Sequence, residues 1–293
     1  MGNANSKPDG ALGPILAIVL TGLALSFGDS LVRMSSENLS LAQIFVLRSL
    51  LALLGLSAVL LWMRVRFLPV SWGWVALRPG ALVLMWVAYY QALTRVPFAL
   101  AAAGYYTLPI FIALLSSLIA RKPLGWVSWG AIFLGFLGVL LIVKPTQSGA
   151  DPYLLLPLFA AFLYAVAMVL TGMKLREEHP LVLTFWLNVA FVAVGLIWLF
   201  QTPVSQTAFE QNVELKQFAN VVLMAAVMVL ATFASAYAYQ RGPSAVIRTF
   251  DYGYLVFALF WGWLFFEETI DAIGLLGVGF IVLAGVIMIW RRG

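Results

Sequence analysis

The chain has 293 residues, of which 63% are hydrophobic and only 10% are charged, and its formal net charge is +5. A soluble domain carries roughly 25% charged residues, so a chain this apolar needs lipid as its outer solvent. It has no cysteine, which excludes disulfides and thiol-based sites, and its one histidine is His179. We therefore expect no cofactor and no metal site. The basic residues lie between apolar runs, where they indicate membrane topology rather than nucleic-acid binding.

Continuous apolar runs of about 20 residues predict transmembrane helices, because a bilayer core about 30 Å thick requires that length. A backbone in hydrocarbon must satisfy its own hydrogen bonds, and a barrel would show alternating rather than continuous apolar residues. The predicted spans are 11–32, 40–62, 73–94, 98–120, 124–143, 153–174, 180–200, 217–240, 244–266 and 271–290. The predicted fold class is an all-α membrane protein with ten transmembrane helices.

The distribution of Lys and Arg predicts that both termini are cytoplasmic, since cytoplasmic loops carry an excess of these residues. With the N-terminus inside, the cytoplasmic side holds Lys7, Arg64, Arg66, Arg121, Lys122, Lys174, Arg176, Arg241, Arg291 and Arg292. The opposite side holds Arg33, Arg95, Lys144 and Lys216. This orientation places the acidic residues near 267 on the outer side.

The two halves of the sequence resemble each other. Arg95-Val96-Pro97 closes the third span and Arg241-Gly242-Pro243 closes the eighth, an offset of 146 from position 97 to 243. The matched pairs beyond these prolines are Ala99 with Ala245, Tyr106 with Tyr252, and Phe111 with Phe257. Five spans per half reverse the direction of the second half, so the pattern predicts an inverted repeat with a binding site near the midplane.

The sequence resembles the ten-span branch of the drug/metabolite transporter superfamily, which is built from two EamA-type repeats. The matching features are Leu47-Arg48 within the second span, Leu108-Pro109-Ile110-Phe111 in the fourth, and Glu267 at the end of the ninth. The resemblance implies one repeat over 11–145 and a second over 152–292. Arg121-Lys122 stands where the first repeat should have an acidic residue, which argues against a mechanism that uses a matched pair of acids.

Within the superfamily, the aromatic residues and the Tyr105-Tyr106 pair are similar to YddG-like bacterial amino acid exporters. This resemblance implies a multi-pass protein of the bacterial inner membrane that exports aromatic and other neutral amino acids by alternating access. The implied partners are the amino acid substrate and the lipid bilayer. The resemblance leaves a monomeric state open.

Ionisable residues within the predicted spans need a partner, water or a route to the interface, because a charge at the bilayer centre costs roughly 2.5–3.5 kcal/mol. Arg78 is expected to snorkel to the cytoplasmic interface. Asp29 and Arg48 lie at depths that their side chains can bridge, either as a structural pin or as a gate or substrate contact. Arg248 and Asp251 share a helix face at i, i+3. They either neutralise each other or bind the carboxylate and ammonium of an amino acid.

Polar and aromatic side chains at helical spacing predict the faces that line a cavity, although each aromatic taken singly is also explained by packing. Asp251 is the candidate for proton coupling. The predicted substrate-binding residues are Ser26, Asp29, Trp86, Tyr89, Tyr90, Tyr105, Tyr106, Tyr164, Met168, Thr232, Ser235, Tyr239, Arg248, Asp251 and Tyr252. The residues predicted to have a structural or gating role are Arg48 and Pro109.

Three other functions are weighed against amino acid export. An exporter of lipophilic cations or other metabolites would depend on Asp251 and not on Arg248. A channel would show single-channel currents. An intramembrane enzyme needs a nucleophile with a base or a pair of acids at membrane depth, and the sequence offers neither, so we predict a transporter and not an enzyme.

Overall fold

A computed structural model describes residues 12–120, 125–143, 152–201, 215–242, 247, 250, 253–268 and 270–290. Within these residues the chain is helical and contains no β-strand. The helices are α1 (Leu12–Ser35), α2 (Leu41–Trp62), α3 (Trp72–Leu93), α4 (Phe98–Tyr105), α5 (Leu108–Ala120), α6 (Trp126–Val143), α7 (Leu156–Lys174), α8 (Pro180–Gln201), α9 (Leu215–Arg241), α10 (Gly253–Phe266) and α11 (Ala272–Trp290). A short 3-10 helix, Pro152–Leu155, leads into α7.

Six described segments are long and apolar enough to cross a membrane: Leu12–Ser35, Leu41–Trp62, Leu100–Ile119, Pro152–Lys174, Pro180–Gln201 and Gln217–Arg241. Three shorter apolar helices accompany them: Trp126–Gly138, Gly253–Phe266 and Ala272–Ala284. The prediction of an all-helical membrane protein is confirmed, whereas the count of ten spans stays a prediction.

The predicted fourth span, 98–120, consists of two helices. α4 ends at Tyr105 and α5 begins at Leu108. Pro109 has no N–H to donate to the carbonyl four residues earlier, which favours a break at this point. Hydrogen bonds from Tyr106 N–H to the Ala102 carbonyl (3.0 Å) and from the Thr107 hydroxyl to the Gly104 carbonyl (2.9 Å) keep the backbone satisfied through the break.

The helix packing repeats itself when the two halves are exchanged. α1 packs on α9 and on α10, and its counterpart α7 packs on α3 and on the α4–α5 pair. α2 packs on α9 as α8 packs on α3, while the pairs α2–α8 and α6–α11 map onto themselves. A rotation that exchanges the halves therefore preserves these interfaces, and it places elements of both halves around one centre.

The bundle exposes many large apolar side chains along its helices and buries Asp29, Arg48 and Arg78 in its interior. Trp62, Trp126 and Phe200 are exposed near helix ends, where aromatic side chains suit a membrane interface. α6 and α11 pack closely through small residues, since a Cβ added to Gly138 would lie 2.6 Å from the carbonyl oxygen of Gly277. Such close backbone approach is typical of helix pairs in lipid.

Three hydrogen bonds connect the α7–α8 turn with two other segments at one end of the bundle. The Glu178 carboxylate is buried and accepts a hydrogen bond from Ser71 N–H at 2.7 Å. The Gln240 side-chain amide donates to the carbonyls of Leu175 (2.7 Å) and Glu178 (2.8 Å). The α7–α8 turn is thereby tied to the start of α3 and to the end of α9.

Candidate functional site

Asp29 is the buried acid at the centre of the site. It lies on α1 with 1% of its surface exposed. The Tyr254 hydroxyl donates to its Oδ2 at 2.6 Å, and the hydroxyls of Tyr254 and Tyr89 share a hydrogen bond of 2.7 Å. Its Oδ1 has no hydrogen-bond partner among the described residues. One carboxylate oxygen is thus held by the protein and the other is available.

Gly22 allows α10 to approach α1 closely enough for Tyr254 to reach Asp29. A Cβ added to Gly22 would lie 2.8 Å from the Tyr254 backbone nitrogen. We expect Gly22→Ala to displace α10, weaken the Tyr254–Asp29 hydrogen bond and cost about 1–3 kcal/mol of stability, as overpacking does. Thermal unfolding of the purified protein in detergent measures this loss.

The matched control is Gly55→Ala on α2, where an added Cβ meets nothing within 4 Å. This variant should unfold at the wild-type temperature or slightly above it. Equal unfolding temperatures for the two variants would contradict the proposed close approach.

Arg48 is held in an aromatic cage. Its Nη1 donates to the Tyr90 hydroxyl at 2.9 Å. The guanidinium carbon lies 5.1, 5.9, 5.4 and 4.7 Å from the ring centres of Phe45, Trp86, Tyr90 and Phe191. Such cation–π contacts contribute roughly 0.5–2 kcal/mol each, which offsets part of the cost of burying the charge. Arg48 Nε and Nη2 have no hydrogen-bond partner in the described part of the chain.

Asp29 and Arg48 do not pair directly. Among the described residues, the ion pair within 4.0 Å is Arg33 with Glu268. The bridge between Asp29 and Arg48 that their depths allow is therefore not formed, because each side chain is held by a tyrosine instead.

A small cavity of about 10 Å³ lies between the two charges. Asp29, Arg48, Trp86, Tyr90 and the flexible side chain of Met224 are among its lining residues. This space is about enough for one water molecule. One free carboxylate oxygen and free guanidinium N–H groups belong to residues that border the same cavity.

Five buried tyrosines, Tyr89, Tyr105, Tyr106, Tyr164 and Tyr254, form what we call the tyrosine cluster. The Tyr105 ring centre lies 5.1 Å from that of Tyr89, 6.0 Å from Tyr254 and 5.7 Å from Tyr164. Tyr106 stacks on Tyr254 at 5.2 Å. The cluster joins α3, the end of α4, α7 and α10.

A larger opening of about 110 Å³ lies beyond the tyrosine cluster. Its lining residues are Ile112, Ser116, Met168, Val169, Gly172, Met173, Arg176 and Tyr239. We call this opening the inner vestibule, because the predicted topology places Arg176 on the cytoplasmic side. Polar contacts connect the two features: the Tyr164 hydroxyl and the Ser235 hydroxyl lie 3.3 Å apart, and Ser235 donates to the Met168 sulfur at 3.8 Å.

Four residues in contact near one end of the bundle form what we call the outer gate, because the predicted topology places this end outside: Arg33, Phe98, Phe266 and Glu268. Arg33 Nη1 lies 2.6 Å from Glu268 Oε1, and its guanidinium lies 4.4 Å from the Phe266 ring centre. The Phe98 and Phe266 ring centres are 5.8 Å apart. Arg33 follows Asp29 by four residues on α1, so both occupy one helix face.

Every predicted site residue whose side chain is described is buried. Asp29, Trp86, Tyr89 and Tyr90 meet near Arg48, and Tyr164, Met168, Ser235 and Tyr239 meet near the inner vestibule. Arg248, Asp251, Tyr252 and the side chain of Pro109 lie outside the described residues.

Thr232 and Ser26 are predicted site residues that belong to neither of these two groups. The Thr232 hydroxyl donates to the Met228 carbonyl of its own helix at 2.7 Å, and Ser26 accepts from the Trp261 ring N–H at 3.2 Å. The important residue that the sequence analysis missed is Tyr254. Its only signal is its nearness in the chain to Asp251 and Tyr252.

The prediction that Arg78 snorkels to the interface is wrong. Arg78 is 1% exposed, and its Nε donates to the Thr171 hydroxyl at 2.8 Å. α7 packs on this part of α3 and encloses the side chain before it can reach the headgroup region. Arg78 is therefore a second buried cation, in the half of the bundle that holds the inner vestibule.

Comparison with known families decides the class of the protein. The model of the EamA-like transporter family matches the chain twice, over residues 12–144 and 152–291. The chain belongs to the EamA-like transporter family. This result confirms the resemblance to the drug/metabolite transporter superfamily and shows that the EamA transporter carries two copies of the repeat.

Known relatives of this EamA transporter act on different small molecules. It is 27% identical over 276 residues to the pseudopaline exporter CntI of Pseudomonas aeruginosa, covering 92% of this chain and 93% of the relative. It is also 27% identical over 219 residues to a riboflavin transporter of Vibrio cholerae, covering 73% and 70% of the two chains.

A solved structure, described only as the crystal structure of a protein, shares the fold with a TM-score of 0.64 at 18% identity. The match covers 98% of this chain and 99% of that one. The family and the relatives make this EamA transporter a multi-pass membrane transporter of small molecules rather than an enzyme.

Proposed function

We propose that this protein exports amino acids, aromatic and other neutral ones, from the cytoplasm across the bacterial inner membrane. The observation that carries the proposal is that Asp29 and Arg48 border one buried cavity without pairing to each other. The ammonium and carboxylate of an amino acid supply the opposite charges. Free Oδ1 of Asp29 and free N–H groups of Arg48 supply the hydrogen-bond positions.

The energetics of burial support a zwitterionic substrate. Two charges away from water that form no ion pair with any described residue are costly, and aromatic rings and tyrosine hydroxyls compensate only in part. A bound zwitterion neutralises both at once, whereas a simple anion or cation leaves one charge uncompensated. The remaining walls, Trp86 and Tyr90 among them, suit an aromatic or apolar side chain.

The size of the cavity supports alternating access. A space of about 10 Å³ cannot hold an amino acid, so the described conformation is closed around the charges. The proposed carrier has ten spans in two inverted five-helix repeats, with both termini in the cytoplasm. The helix packing is the same in the two halves, which supports this arrangement. In an inverted repeat, a movement of one half that opens the site to one side of the membrane has an equivalent in the other half that opens it to the opposite side.

An exporter of lipophilic cations is the second candidate. Asp29 lies beside the rings of Tyr254 and Tyr89, and a carboxylate with aromatic neighbours is suited to a lipophilic cation. The relatives named for pseudopaline and riboflavin show that metabolites other than amino acids also fit this family. The two candidate functions differ in whether transport requires Arg48, because only a substrate with a negatively charged group needs this residue.

Transport by the purified full chain in liposomes tests the proposal. We expect saturable counterflow of labelled neutral amino acids, with phenylalanine or tryptophan strongest, in experiments with and without a pH gradient. Liposomes without protein give the background. Movement of tetraphenylphosphonium with no movement of any labelled amino acid would overturn the proposal in favour of cation export.

A further inference from the structure

Arg78 is a buried cation without a counter-ion in the described part of the chain. It is 1% exposed, its Nε binds the neutral hydroxyl of Thr171, and its Nη1 has no hydrogen-bond partner there. It forms no ion pair with a carboxylate among the described residues, where the pair within 4.0 Å is Arg33 with Glu268. No aromatic cage like that of Arg48 surrounds it among the described residues. A charge held in this way calls for an anionic ligand.

The position of Arg78 separates it from the Asp29–Arg48 cavity. Tyr90, which binds Arg48, follows Arg78 by twelve residues on the same helix. This spacing is about 18 Å at 1.5 Å per residue. One amino acid residue spans about 3.5 Å of extended chain. A single amino acid therefore cannot contact Arg48 and Arg78 together, and the two arginines belong to separate points along the path.

Arg78 lies next to the inner vestibule. Its partner Thr171 is adjacent to Gly172 and one helical turn beyond Met168, and both of these line the vestibule. Tyr164, which precedes Thr171 by seven residues on α7, is linked through Ser235 to the Met168 sulfur. Arg78 and Thr171 do not themselves line the vestibule, so side chains of α7 must move before a ligand there can reach the free Nη1.

We propose that Arg78 forms a second anion-binding site, which holds the substrate carboxylate in the inner vestibule before the tyrosine cluster opens toward Asp29 and Arg48. This inference rests on the proposed export of amino acids and assigns a residue to the first step on the cytoplasmic side. Arg176 at the exposed rim attracts the anion from solution, and Arg78 binds it out of water.

Charge removal tests the site in liposomes, with substrate presented to the side on which the vestibule opens. Arg78→Gln should raise the KM for phenylalanine by about tenfold or more, which corresponds to about 1.4 kcal/mol, and should change kcat much less. Phenylalaninamide lacks the carboxylate, so its already high KM should not change. Arg78→Lys should recover most of the preference for the acid.

Two surface arginines provide controls. Arg176→Gln should raise KM only at low salt, because in 1 M salt the Debye length is about 3 Å and exposed charges are screened. The effect of Arg78→Gln should persist at 1 M salt, since buried charges are screened less. Arg66→Gln, exposed between α2 and α3, should match the wild type.

If Arg78→Gln fails to fold, binding of a carboxylate to another variant tests the Arg78 site instead. Arg48→Gln protein should still bind labelled 3-phenylpropionate, a carboxylate without an ammonium group, at the Arg78 site. Loss of all such binding in Arg48→Gln would overturn the second site. An equal rise in KM for phenylalanine and its amide in Arg78→Gln would do so as well. Failure of the wild type to move any amino acid would instead overturn the proposed function.

Discussion

Arg48→Gln is expected to lower kcat/KM for amino acid transport by at least about tenfold, while the protein stays folded. Truncating one partner of a buried charge pair costs about 2–5 kcal/mol or more, so the loss is expected to be about thirtyfold or more if the substrate carboxylate binds Arg48 directly. The measurement is counterflow of labelled phenylalanine in liposomes, with unfolding temperature as a check on folding.

Comparison of Asp29→Asn with Arg48→Gln separates the two candidate functions. For amino acid export, both Asp29→Asn and Arg48→Gln should impair transport, and Arg48→Lys should retain part of it because the positive charge remains. For cation export, only Asp29→Asn should impair transport. Arg66→Gln controls for the general effect of removing a positive charge. Wild-type phenylalanine transport in Arg48→Gln would exclude the zwitterion site.

The fold class was predictable from the sequence because hydropathy is a local property. Each apolar run is long enough to require a helix in lipid whatever lies next to it. Pro109 indicated a break in the fourth span, because proline has no N–H to donate to the carbonyl four residues earlier. Periodicity also identified the faces that carry Asp29, Tyr89 and Tyr164, all of which are buried.

The partners of these residues were not predictable, because they come from distant parts of the chain. Asp29 and Tyr254 are separated by 225 positions, and no local pattern relates them. Depth alone suggested Arg48 as the partner of Asp29, whereas the rings of Phe45 and Phe191 hold Arg48 in place. Arg78 is enclosed by α7, so its burial depends on a helix from the other half.

We expect the two ends of the bundle to differ in charge. At the outer end, Arg33 on α1 meets Glu268 after α10. At an offset of 146, residue 268 corresponds to Lys122, which lies outside the described residues. In the sequence Lys122 follows Arg121, and the predicted topology puts both on the same side as Arg176. We therefore expect opposite charges to attract across the outer gate and like charges at the other end to repel.

Loss of the Arg33–Glu268 ion pair is expected to open the outer gate. The chain has no native cysteine, so Ser30→Cys, buried one turn before Arg33, supplies the only thiol. In intact cells, a membrane-impermeant thiol reagent should modify this cysteine about fivefold to tenfold faster when Glu268→Gln is added. A partly buried ion pair that contributes about 1 kcal/mol gives a change of this size.

Exchanging the charges of Arg33 and Glu268 tests whether the ion pair or the bulk of the side chains keeps the outer gate closed. Arg33→Glu alone should speed modification, because two carboxylates then face each other, and Arg33→Glu with Glu268→Arg should restore slow modification. Glu37→Gln, an exposed acid at the same end, should leave the rate unchanged. If the exchanged pair reacts as fast as the single variants, Phe98 and Phe266 rather than the charges hold the gate, and the charge asymmetry between the two ends does not set the resting conformation.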